Sequence, residues 1–223
     1  MAVAPVEKAL GALTGARLFA CVADHGSAAH PYQSSQLLLR GPQSSRNLAD
    51  AVHFLSTVHG RYPGVIDHAV TRTLDPAARA WFTPVLEGFS EERAFLARLA
   101  VEVGPAPSTP GHASAEAMLL SQRHALDMLA QSERNGCALG AAMALVVDWG
   151  RIRGVLNVAA NRFGVEPPAY RLTDTGAVHR LADTMGAAPL VERALLFGAE
   201  QVMLQHHGLW DLLEARAMAR ADR

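Results

Sequence analysis

The chain has 223 residues, half of them hydrophobic and only 6% aromatic, with a formal net charge of −1. That length provides one large domain or two small ones, with enough apolar side chain for a sizeable core. A near-neutral balance leaves no basic field for a phosphate backbone, which argues against nucleic acid as a partner. Cys21 and Cys137 are far apart and form no CxxC pair, so the sequence predicts free thiols in a reducing cytoplasm. Residues 1–22 carry Glu7, Lys8 and Arg17 and lack the apolar core of a signal peptide. The longest apolar run, Gly136–Val147, ends at Asp148, too short to span a bilayer, so no membrane association is expected.

Taken in order, Pro5 opens a first helix over about residues 5–22, with Val6, Leu10, Leu13 and Phe19 at helical spacing. Residues 24–45 read as loop. Ser45 is a suitable N-cap for a helix from 46 to about 60, which Tyr62-Pro63-Gly64 interrupts before a resumption over 64–74. Asp75-Pro76 places a capping residue before a proline at the first helical position. The helix it starts reaches about 103, with a kink or restart predicted at Pro84. Residues 104–112, GPAPSTPGH, form the clearest linker.

From about 113 to 164 there is no proline, and Gly164 is a good C-terminal glycine. This predicts one very long helix, kinked or continuous, about 75 Å if straight. A loop leads to a short helix over 176–185, and Pro189 opens a last helix to about 221. No run alternates with period two. The expected fold is therefore all-α: an antiparallel four-helix bundle with extra short helices in a single domain over 1–223. Its helix and loop at 1–45 pack on a core of 46–221.

Sorting side chains by helix face places several polar groups inward. His59 follows the stripe Leu48, Ala51, Val52 and Leu55, and His206 lies within Val191, Leu195, Gly198, Val202, Leu209 and Leu213. Glu92 flanks the stripe Val85, Phe89, Leu96, and Glu133 shares the face of Leu126, Ala130 and Cys137. Asp148 lies at the edge of that face, three residues from Arg151, and the two are suited to an i,i+3 ion pair. With an up-down-up-down order, His59, Glu92 and His206 fall near one level, and Glu133 is roughly 13 Å away. Donors from facing helices at one depth are what a metal in a bundle interior requires, so this trio, with Glu133 as a further ligand, predicts an Fe, Mn or Zn site. The competing reading is that these groups satisfy each other as ion pairs in a non-enzymatic module that forms a homodimer through alanine-rich faces.

The arrangement resembles ferritin-like di-iron carboxylate proteins, which hold metal inside a four-helix bundle. The two Glu-x-x-His motifs of that family are absent, so the likeness extends to architecture alone. Gly136-Cys137-Ala138-Leu139-Gly140-Ala141 resembles the distal helix of haem oxygenases; this implies that Gly136 and Gly140 line a pocket for haem or a small apolar ligand. The stretch Ser132–Arg153, SERNGCALGAAMALVVDWGRIR, is similar to uncharacterised bacterial helical proteins, and that likeness implies no activity. No GxSxG, P-loop, GxGxxG or HExxH motif is present. The sequence names no catalytic residue.

Overall fold

The computed structural model describes residues 14–221. Among these, every regular element is helical and no strand occurs, which is the all-α class the periodicity predicts. Helix α1 spans Thr14–His25; the expected segment 5–13 lies outside the described residues. Two 3₁₀ turns follow, at Ser27–Ala29 and Pro31–Ser34, then the single turn α2, Gln36–Leu39. Next come α3, Ser44–His59, and α4, Val65–Arg72. After them lie α5, Pro76–Glu102, and α6, His112–Ala130. The chain closes with α7, Cys137–Phe163, α8, Thr175–Met185, and α9, Pro189–Ala221. None of the described helices is long and apolar enough to cross a membrane.

Two expectations are corrected. Pro84 does not restart α5: one helix runs through it from Pro76 to Glu102, started by the Asp75 carboxylate, which accepts the Ala78 N–H at 3.0 Å. The long helix of 113–164 is two helices, α6 and α7, separated by residues 131–136. The break has a local cause. Ser132 turns its hydroxyl onto the Arg134 N–H at 3.3 Å, a bond that competes with helix formation. Gly136 then adopts φ +95°, a left-handed conformation that a helix interior does not contain.

The fold is organised around α7. Its residues from Cys137 to Leu145 are buried without interruption, the pattern of a helix enclosed on all sides. It packs against α1, α3, α4, α5, α6, α8 and α9. The crossing with α9 is the most intimate. A Cβ on Gly140 would collide with the Leu195 carbonyl, and one on Gly198 with the Cys137 carbonyl. Glycine at both places lets the two backbones touch, and this close approach brings polar side chains of α7 and α9 within hydrogen-bond reach further along.

Gly140→Ala is expected to destabilise the fold by about 1–3 kcal/mol, the usual cost of overpacking. Gly154, in the same helix, has open space where a Cβ would go. Gly154→Ala should therefore stabilise by roughly 0.5–1 kcal/mol. Urea denaturation of the two variants checks both signs.

Candidate functional site

His59 is the last residue of α3 and His206 lies in the middle of α9; both are buried. Their Nε2 atoms face each other at 3.0 Å. The sequence-level match of face and depth thus brings these two imidazoles together. On the other side of His206, Nδ1 lies 2.6 Å from Asp148 Oδ2. The same carboxylate accepts the Ser27 hydroxyl at 2.5 Å and the Ser27 N–H at 2.9 Å. A buried carboxylate demands donors, so His206 carries its proton on Nδ1 and presents a lone pair at Nε2. His59 then donates its Nε2–H to that lone pair. Burial, with the neighbouring His206 second, holds the His59 pKa well below the usual histidine value. The result is a chain, Ser27–Asp148–His206–His59, sealed between α3, α7, α9 and the turn after α1.

Glu92 is buried as well, but it faces elsewhere. Its carboxylate accepts the Trp149 indole N–H at 2.9 Å and pairs with the Arg153 guanidinium. Trp149 also meets the His59 ring edge-on, with centroids 5.4 Å apart, so the indole touches both groups. Arg153 is held further by Asn157 at 2.9 Å and the Pro168 carbonyl at 2.6 Å, and lies over the Phe95 ring. Burial pushes the Glu92 pKa up, and the Trp149 and Arg153 contacts pull it back. Glu133 is exposed in the break between α6 and α7. Gly140 faces the Leu195 backbone and Gly136 faces Val191, both on α9; Gly136 also lines a pocket with Thr73, Ser132 and Glu133.

Asp148 and Arg153 complete the interior, and the inward-face analysis missed their roles. Asp148 bonds His206 and Ser27, while Arg151, its sequence-level partner, is exposed. A second buried network ties the end of α9 to α3. Asp50 accepts Arg216 Nε at 2.9 Å and Arg220 Nη1 at 2.5 Å, and Arg220 also reaches Asn47 and Thr109. A signal for both exists in the sequence: charged residues placed inside otherwise apolar helical faces.

A different cluster lies one residue along α9. His207 and Asp211 occupy adjacent turns on one face, and His30 approaches from the turn after α1. The His30 Nε2 is 3.0 Å from Asp211 Oδ1, and the His30 and His207 rings meet edge-on with centroids 4.7 Å apart. Among the described residues this is the only group of three His, Cys, Asp or Glu side chains whose donor atoms all lie within 4.8 Å of one another. His30 is buried, while the Asp211 side chain is 63% exposed, so the cluster opens to solvent. The His30 Nδ1 accepts the Tyr32 N–H at 3.2 Å, which leaves the ring proton on Nε2, pointing at Asp211.

The family model for a family of unknown function, DUF6975, matches residues 22–221. The chain belongs to this family. No curated protein and no solved structure matches it. The matched span contains the whole interior network and the whole surface cluster.

The His59 geometry has a pH consequence. Neutral when folded and titrating near the ordinary value of about 6.5 when unfolded, His59 binds its proton more readily in the unfolded chain. Its contribution to stability is present above that value and falls as the pH drops below it, by at most about 1.4 kcal/mol per pH unit for one proton. His59→Gln, which keeps a donor for His206, should flatten this part of the stability–pH curve between pH 6.5 and 5. For the neighbouring pair, Glu92→Ala leaves the Arg153 charge buried alone and should cost about 3–5 kcal/mol in denaturant unfolding.

Proposed function

We propose that this protein binds a divalent metal ion through His30, His207 and Asp211. The observation that carries the reading is the convergence of two imidazoles and one carboxylate from separate segments beside solvent. Two nitrogens and one oxygen are the donor set of the two-histidine, one-carboxylate sites used for Fe and related ions, and nitrogen with carboxylate also suits Zn. The i,i+4 spacing of His207 and Asp211 fixes two donors on one helix face. Exposure on the Asp211 side supplies an entry path and leaves coordination positions for water.

The interior residues supply the frame for such a site. Within the chain Ser27–Asp148–His206–His59, Ser27 anchors the turn that carries His30, and His206 precedes His207. Glu92 is engaged by Trp149 and Arg153, which favours a structural role for it over ligation. Binding has a cost. A metal at His30 Nε2 moves the ring proton to Nδ1, where it opposes the Tyr32 N–H, and an unmet buried donor costs about 1–3 kcal/mol. The affinity is accordingly expected to be modest.

Calorimetric titration of untagged protein with Zn²⁺, and with Co²⁺ followed by its visible absorption, tests the reading. One ion per chain is expected, with binding lost in His207→Ala, weakened in Asp211→Asn and unchanged in Glu133→Gln. No binding in the wild type, or full binding in His207→Ala, would sink the proposal. Binding that survives His207→Ala but not His59→Gln would place the ion on the interior histidine pair instead.

A further inference from the structure

Between α5 and α8 lies a cleft of about 360 Å³, lined by none of the residues of the interior network or the surface cluster. Its walls are apolar: Trp81, Pro84 and Val85 from α5, Leu172 from the segment after α7, and Leu181 from α8. The volume is in the range of sites for small organic ligands. Its rim carries three charged side chains, Arg171, Asp174 and Arg180. Two of them are committed. Arg171 Nε pairs with Glu91 at 3.2 Å, and Asp174 caps α8 by accepting the Ala177 N–H at 2.8 Å. Arg180 has no carboxylate within ion-pair distance among the described residues. The cleft thus combines an oily wall with one uncommitted cation at its mouth.

We propose that this cleft binds a monocarboxylate with an apolar body, its hydrocarbon against Trp81, Pro84, Val85, Leu172 and Leu181 and its carboxylate on Arg180. The charge selects the class. The lining holds two guanidiniums against one carboxylate, and that carboxylate, Asp174, already accepts the Ala177 N–H, so an anion is favoured over a cation, and a neutral alcohol would leave Arg180 unused. This site is separate from the metal cluster and does not depend on it.

Decanoate, decanol and decylamine are suitable probes, followed by tryptophan fluorescence and calorimetry on the full chain. Trp149 and Trp210 are fully enclosed in the core, whereas Trp81 lines the cleft, so Trp81 should report binding. Decanoate is expected to change the emission, with the change lost in Trp81→Phe while calorimetry still detects binding. Arg180→Glu should weaken decanoate by about tenfold, the loss of one charge-assisted hydrogen bond, and leave decanol unaffected. Circular dichroism confirms that each variant is folded. No heat and no emission change with decanoate overturns the site. Equal affinity for decanoate and decanol, unaltered by Arg180→Glu, overturns the carboxylate assignment.

Discussion

Asp148 sits on a helix that is surrounded by protein, so its charge has to be met by donors brought from other segments. The turn after α1 supplies the Ser27 hydroxyl and N–H, and α9 supplies the His206 Nδ1–H. His206 in turn fixes the proton on His59 at the end of α3. One carboxylate therefore specifies the relative placement of three elements that are distant in sequence. The same demand recurs one turn later, where Arg153 draws in Glu92 from α5 and the Pro168 carbonyl. It recurs again where Asp50 gathers Arg216 and Arg220. Apolar packing fills the core, and these directional contacts join its elements at defined points, because each buried charge needs its partners.

The close crossing of α7 and α9 makes this possible. Backbone contact at Gly140 and Gly198 sets a short distance between the helices, and at that distance a single side chain from each can bond directly. The glycine pattern that resembles a haem-contacting helix performs the physical task common to both settings, letting another body approach a helix backbone. Here the other body is α9. Adjacent residues on α9 then face different ways, His206 into the sealed chain and His207 toward the half-exposed cluster with His30, because successive side chains diverge by about 100° around a helix. The interior holds the surface cluster in place while taking no direct part in it.

Much of the architecture was legible because its signals are local. Asp75-Pro76, Gly164 and Pro189 mark ends that capping chemistry explains, and the apolar stripes of α3 and α9 correctly pointed His59 and His206 inward. The split between α6 and α7 was harder to read. Alanine-rich sequence on both sides has strong helical propensity, and only the left-handed turn at Gly136 with the Ser132 hydroxyl reveals the break. The helix face of Glu92 turns it inward, and it is buried, but helix-face analysis does not say which side chain stands between two groups. Trp149 stands there. His30 lay beyond such analysis, being on irregular chain with no periodicity to orient it.

By itself the sequence determined the helical class, most helix ends and which faces turn inward, since each follows from interactions among residues a few positions apart. Only the tertiary structure decided who meets whom: that Asp148 takes His206 instead of Arg151, that Glu92 takes Arg153, and that a loop histidine joins His207 and Asp211. These pairings depend on distances between segments up to 181 residues apart, and such distances exist only once the whole chain has packed around α7.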